Sequence, residues 1–405
     1  MPMTLPRRVA RPRALALGAT LCLLIAGLCL IAPRPLPAAD GDARLVRLGE
    51  ALFFDVNLSK NRTQSCATCH DPARAFTDPR PGPKGGAVSL GDDGHSYGGR
   101  NVPSVAYAAF SPPFGRTTAG DYVGGQFWDG RADTLEAQAG QPILNPVEMA
   151  MPDKASIAAR LREKPEYVAA FQEVFGPDVF RTPATAFAAL GKALAAYERS
   201  PAVSPFDSKY DRFLKGEYQM TPQEELGRVL FFSNQFTNCR QCHQSGGPDA
   251  ATETFSNYRF HNIGVPRNPV VGNTEPDHGL RDRKGIRDAR QDGRFRVPGL
   301  RNVAVTAPYM HNGVFSDLRT VILFYNKYNS HAEARQIHPE TGRPWAPPEV
   351  RGTLSLTELH ASPALDDRRI DALVAFLKTL TDKRYEPLLA SGPESEPARQ
   401  PSTRP

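Results

Sequence analysis

Arg47-Leu-Gly-Glu-Ala-Leu-Phe-Phe54, followed by Cys66-Ala-Thr-Cys69-His70, returns later as Glu225-Leu-Gly-Arg-Val-Leu-Phe-Phe232, followed by Cys239-Arg-Gln-Cys242-His243. The shared Leu-Gly-x-x-Leu-Phe-Phe pattern stands upstream of a Cys-x-x-Cys-His motif both times, an internal repeat on the scale of a domain. Apolar residues at helical spacing predict a helix over 41–60 and another over 224–232. Two thiols one helical turn apart can add to the two vinyl groups of haem, and the adjacent histidine then offers a ring nitrogen to the iron. Cys66, Cys69, Cys239 and Cys242 are thus the expected attachment points, with His70 and His243 as proximal ligands. A redox dithiol would want a βαβ setting that is not visible here. A four-thiolate zinc site would require the distant pairs to meet and would leave both histidines unexplained.

Outward from the motifs, the other two of six cysteines, Cys22 and Cys29, lie in an apolar N-terminal run. Arg7, Arg8, Arg11 and Arg13 precede that run, and the small residues Ala38 and Ala39 follow it. This is the pattern of an export signal, residues 1–39, with cleavage expected near Ala38 or Ala39. The run is nearly long enough to span a bilayer, so an uncleaved anchor in the inner membrane is the alternative. Either way the remainder is expected in the periplasm, where c-type haem attachment takes place. The net charge of +6 is partly leader, and acidic residues are interspersed with the basic ones. No arginine stripe interleaved with aromatics appears, so nucleic acid is not an expected partner.

The 405 residues, 40% hydrophobic, suffice for two or three domains, while 33 glycines and 38 prolines indicate a loop-rich fold. Further helices are predicted near 155–162 (capped by Asp153), 184–199, 317–327 and 366–380, with one ending at Gln138. Residues 78–104 and 264–296 are long loops, and loops of that length are usually functional. The expected architecture is mainly α: two cytochrome c-like haem domains with long loops, at 40–202 and 203–390. The tail 391–405, rich in Pro, Ser, Glu and Arg, is expected to be disordered.

Gln126-Phe-Trp-Asp-Gly-Arg-Ala132, Glu136-Ala-Gln-Ala139, Asn145-Pro-Val-Glu-Met149, Phe260-His-Asn-Ile-Gly-Val-Pro266 and Leu300-Arg-Asn-Val-Ala-Val-Thr-Ala-Pro-Tyr-Met-His-Asn-Gly313 resemble the bacterial di-haem cytochrome c peroxidases, from about Leu48 to Leu380. The resemblance implies an N-terminal peroxidatic haem and a C-terminal electron-transfer haem. It implies Glu148 as the distal carboxylate that shuttles a proton between peroxide oxygens, Gln138 as the amide that orients peroxide, and Pro142 as packing for the same pocket. It implies Trp128 as a relay between the haems, and Asn101, Thr306 and Pro308 as ligands of one calcium ion, through a side-chain oxygen and two carbonyls. Read alone, Glu148 is more often a solvated carboxylate and Trp128 more often core.

Two departures matter. Standard members ligate the C-terminal haem with a methionine, and the matching position here is Tyr325. That is the pattern of the MauG-like branch, MbnH group included. A phenolate is hard and favours oxidised iron, where a thioether favours ferrous iron. Met310 is the competing ligand, and a packed aromatic is the plain reading of Tyr325. His95 falls near the loop histidine that serves those enzymes as a removable sixth ligand, but its spacing to Arg100-Asn101 is shorter. Ligand and exposed loop histidine both stay open. His311 is expected to organise the haem pocket by hydrogen bonding. The function these features imply is a hydrogen-peroxide-dependent di-haem oxidase acting on a periplasmic protein. The alternatives are a cytochrome c peroxidase fed by a small cytochrome or cupredoxin, and a non-enzymatic di-haem electron carrier.

Overall fold

The computed structural model describes residues 40–80, 82–247 and 249–390. The leader and the tail from 391 lie outside the described residues. The described residues from 40 to 390 form one compact unit, mainly helical, with two separate hydrophobic cores.

The first core is built on α1 (Asp40–Phe53), the short α2 (Cys66–Cys69), α3 (Leu135–Ala139), α4 (Gln141–Leu144), α5 (Lys154–Arg162), α6 (Pro165–Phe175) and α7 (Pro183–Glu198). The repeat motif explains how α1 seats itself. Leu48, Leu52 and Phe53 face inward, while Gly49 lies against α7 so closely that a Cβ there would stand 1.9 Å from the Ala193 carbonyl oxygen. The alanine-rich face of α7 permits that approach. Asp153 caps α5 by accepting from the Ser156 amide, as expected. The first helix is shorter than predicted and breaks after Phe53, where Asp55 caps a single 3-10 turn. Helix α6 went unpredicted: Lys164 at its start supplies no capping side chain, and Pro165 reads as a break unless placed in the first turn.

The second core repeats the plan with α8 (Lys209–Leu214), α9 (Pro222–Phe232), α10 (Cys239–Cys242), α11 (Leu318–Asn326), α12 (Leu356–Leu359) and α13 (Asp367–Lys378). Gly227 of α9 meets α13 as Gly49 meets α7, with a Cβ there 1.9 Å from the Ala372 carbonyl oxygen. The filling is aromatic: Phe231, Phe232, Phe255, Phe376 and Tyr210 pack in edge-to-face and tilted pairs, with the tilted Phe231 and Phe376 centroids 5.2 Å apart.

The strands are three two-residue antiparallel pairs among the described residues. One of them, Phe260–His261 with Phe295–Arg296, closes the base of the loop 264–296.

A second pseudo-repeat links the halves. Val102-Pro-Ser-Val-Ala-Tyr107 and Val297-Pro-Gly-Leu-Arg-Asn302 both end on a left-handed residue, Tyr107 at φ 62° and Asn302 at φ 62°, and both enter a 3-10 turn. These two residues converge on Asp382. The Tyr107 hydroxyl donates to one carboxylate oxygen (2.6 Å) and the Asn302 amide to the other (2.8 Å). The Tyr385 hydroxyl also reaches across to the Pro72 carbonyl (2.7 Å). No helix among the described residues is long and apolar enough to cross a membrane.

Candidate active site

Each Cys-x-x-Cys-His motif forms one helical turn that leaves its histidine at the C-terminal end. The Nδ1 of His70 lies 3.1 Å from the Phe76 carbonyl and that of His243 lies 3.0 Å from the Phe255 carbonyl. Both phenylalanines are left-handed, at φ 58° and 57°, and this turns their carbonyls onto the rings. An Nδ1–H held in this way leaves Nε2 as the free lone pair, the arrangement of a metal-ligating histidine. Burial keeps both rings neutral, lowering His243 to about 4 and His70 in the same direction. The four cysteines form no disulfide. Burial pushes Cys66 and Cys242 up to about 12 and Cys69 to about 11.

A cavity with about 220 Å³ of water-accessible space opens beside the second motif. Cys239, Cys242 and His243 line it together with Tyr325 and Met310, and the wall is otherwise mostly apolar. A flat apolar group fits such a space, and the wall also offers polar atoms for the group's charged edge. His261 lines it with neither ring nitrogen hydrogen-bonded among the described residues, its nearest carboxylate being Glu358 at 3.8 Å. These residues fit haem. The Tyr325 phenol is half-buried in this wall, and desolvation there pushes its pKa up, with Cys242 and Cys239 beside it acting in the same direction.

Around the first motif the groups differ. Arg80 donates to Cys69 Sγ (3.2 Å) while paired with Asp78 (2.6 Å). The short helices α3 and α4 carry Gln138 and Pro142. The Pro142 carbonyl accepts the amides of Asn145 and Met149 (both 3.2 Å), a turn that fixes Glu148 between them. Burial raises the Glu148 pKa against the opposing pull of Arg131 and the Asn145 side chain. The carboxyl is close enough to Cys69 to push that thiol upward.

Trp128 belongs to the first half of the chain yet lines the cavity beside the second motif, and its indole N–H donates to the Asn101 carbonyl (2.9 Å). The Asn101 side chain donates to the Ala87 carbonyl (3.2 Å), and Pro308 lies beside neighbouring Gly86. Thr306 turns its hydroxyl back on Val303 (3.3 Å). Among the described residues no group of three or more His, Cys, Asp or Glu is placed to hold a metal ion. A cation here would be held by amide and carbonyl oxygens.

His95 is not brought to either motif. Its side chain is 80% exposed, and Asp93 holds it, with Nε2 3.2 Å from the carboxylate and Nδ1 2.9 Å from the backbone oxygen. Of the two readings left open for His95, the structure places it as an exposed loop histidine: the tight turn at 91–96 closes on itself before the loop reaches inward. The sequence reading missed Arg100. Its guanidinium is paired with Asp129 and Asp277 (both 2.6 Å) and faces Phe295, which stacks on His311 at 3.6 Å. Only its place beside Asn101 hinted at this. His311 meets Asn101 through its backbone carbonyl (2.7 Å), while its ring is held by stacking.

The model of the family described as di-haem cytochrome c peroxidase matches residues 43–219. The chain is 58% identical over 359 residues to the methylamine utilization protein MauG of Paracoccus denitrificans (strain Pd 1222), covering 87% of this chain and 92% of that one. The crystal structure of the diheme peroxidase BthA from Burkholderia thailandensis E264 superposes with a TM-score of 0.72 at 34% identity, covering 87% of this chain and 88% of that one. A MauG-like protein associated with microbial copper homeostasis gives a TM-score of 0.63 at 33% identity, covering 87% and 93%.

Proposed function

The chain belongs to the di-haem cytochrome c peroxidase family, in its MauG-like branch, and we propose on that footing a division of labour between its halves. The protein is a hydrogen-peroxide-dependent di-haem oxidoreductase that acts on a partner protein. When bound, haem c supplies the iron that takes up the oxidising equivalents of peroxide.

His70 holds the iron of the first half, attached through Cys66 and Cys69. His243 would hold that of the second, with Cys239 and Cys242 as its points of attachment, and the Tyr325 phenol would supply a further protein oxygen to that iron. Glu148 takes a proton from one peroxide oxygen and returns it to the leaving oxygen, a role served by a carboxyl whose affinity for protons burial has raised. Gln138 orients the peroxide and Pro142 packs beside it. Trp128 carries charge between the two sites. A hard phenolate suits an iron kept oxidised, and this turns the chemistry toward oxidising a protein side chain.

The observation that carries this reading is the Tyr325 phenol in the cavity of Cys239, Cys242 and His243. Electron paramagnetic resonance with and without one equivalent of peroxide tests it. Tyr325→Phe should replace the second haem's signal, and Met310→Leu should not. One observation favours a second reading, a cytochrome c peroxidase fed by a small cytochrome or cupredoxin: Met310 lines the same cavity. The reverse pair of results, with rapid peroxide turnover on reduced cytochrome c, would establish it.

Asn101, Thr306 and Pro308 bind one calcium ion in this scheme, supported by the meeting of Asn101 and Pro308 around Gly86 and Ala87. The leader sends the protein to the periplasm, and there it tethers the protein to the inner membrane if it stays uncleaved.

A further inference from the structure

Adjoining the cavity beside the second motif is a small polar chamber that the division of labour above does not use. It has about 10 Å³ of water-accessible space, roughly what one water requires. Asp277, His311 and Glu349 line both the chamber and the large cavity, so they form the partition between them.

Two buried polar atoms belong to residues of this chamber and have no hydrogen-bond partner among the described residues: His311 Nε2 and Asn312 Oδ1. His311 is 4% exposed and Asn312 6%. The orientation of the Asn312 amide is set by its nitrogen, which donates to the Pro266 carbonyl (2.9 Å). The third group is Glu349. Its Oε1 accepts from Arg267 (3.2 Å) and from the Asp277 amide (3.3 Å), while Oε2 stands 4.0 Å from His311 Nε2. That last separation is too long for a direct hydrogen bond and suits a bridging water.

We propose that the chamber binds one water molecule, and that Glu349, acting through this water, positions His311 and decides which ring nitrogen carries the proton. The hydrogen bonds balance. The water donates one O–H to Glu349 Oε2 and the other to Asn312 Oδ1, and its lone pair accepts the Nε2–H of His311. A neutral imidazole has a single N–H, so Nδ1 is left as an acceptor. Burial keeps this ring neutral, holding its pKa down to about 3. The Phe295 stack fixes its plane, so the water sets only the tautomer. Glu349 is thereby a positioning residue for the haem-cavity wall.

The test uses the holoprotein with both haems. A high-resolution crystal structure should show one water within hydrogen-bond distance of His311 Nε2, Asn312 Oδ1 and Glu349 Oε2. A dry chamber, a metal ion in it, or a direct Glu349–His311 contact overturns the proposal, and this wild-type result stands even if no variant folds. Glu349→Gln places an amide where a pure acceptor stood. It should shift the resonance spectrum of the second haem and leave that of the first unchanged, with Glu349→Asp closer to wild type. A spectrum identical to wild type for Glu349→Gln refutes the positioning role. This inference rests on the cavity beside the second motif holding haem. Neither measurement uses peroxide, so its failure is separable from failure of the proposed chemistry.

Discussion

The two halves share a skeleton and differ in what fills it. Both place a glycine of the repeat helix against a carbonyl of the half's last long helix, at Ala193 in one and Ala372 in the other. Both aim a left-handed phenylalanine carbonyl at the motif histidine. In the loops that follow, Ala106 of the first half corresponds to Arg301 of the second. Arg301 is buried with Asp211 (2.5 Å, side chains 1% and 2% exposed) and is surrounded by the rings of Phe206, Tyr210 and Phe255. The frame that holds a haem is thus duplicated, while the groups facing it are not: Glu148 stands near one motif and Tyr325 near the other. Support and chemistry have been varied independently.

The largest break in that comparison should come from the buried Arg301–Asp211 ion pair of the second half. Asp211→Ala strands a buried guanidinium and should cost about 3–5 kcal/mol. Denaturant unfolding should show the loss, with the second haem's spectrum disturbed first. Glu148→Gln should slow the reaction with peroxide by ~10²-fold or more while preserving both haem spectra. The same base must be ionised to act. The wild-type rate should therefore fall as pH is lowered through the raised pKa of Glu148, an inflection the variant lacks. Gly49→Ala and Gly227→Ala sharpen the shared part. Each forces a Cβ into a backbone oxygen and should cost about 1–3 kcal/mol, in similar measure, by thermal unfolding. The smallest expected effect is removal of calcium by a chelator, which should alter the haem spectra without unfolding either core. Unchanged spectra would remove the ion from the scheme.

Much of the skeleton was legible because short-range rules govern it. The repeat, the motif turns and the Asp153 cap each depend on residues within one or two turns. Helix α6 was not legible, because its start lacks a capping side chain and its hold comes from Tyr167 and Phe171 buried against distant elements. At the site, the resemblance supplied Glu148, Trp128 and Tyr325. For His95 the shortened spacing to Arg100-Asn101 left two readings open, and the contact that separates them is its capture by Asp93, two residues away. Arg100 and the His311–Phe295 stack are long-range meetings with no local signature, so only the folded chain reveals them.

Asp382 has a further consequence. It is fully buried, and its two oxygens are claimed by Tyr107 from one half and Asn302 from the other. The halves therefore make poor interchangeable parts. Severed near residue 205 and produced singly, the first would carry a phenol hydroxyl with no acceptor, and the second would present a carboxylate oxygen to fresh solvent. Transplanting either haem module into another scaffold would require a substitute for this clasp to be designed along with it.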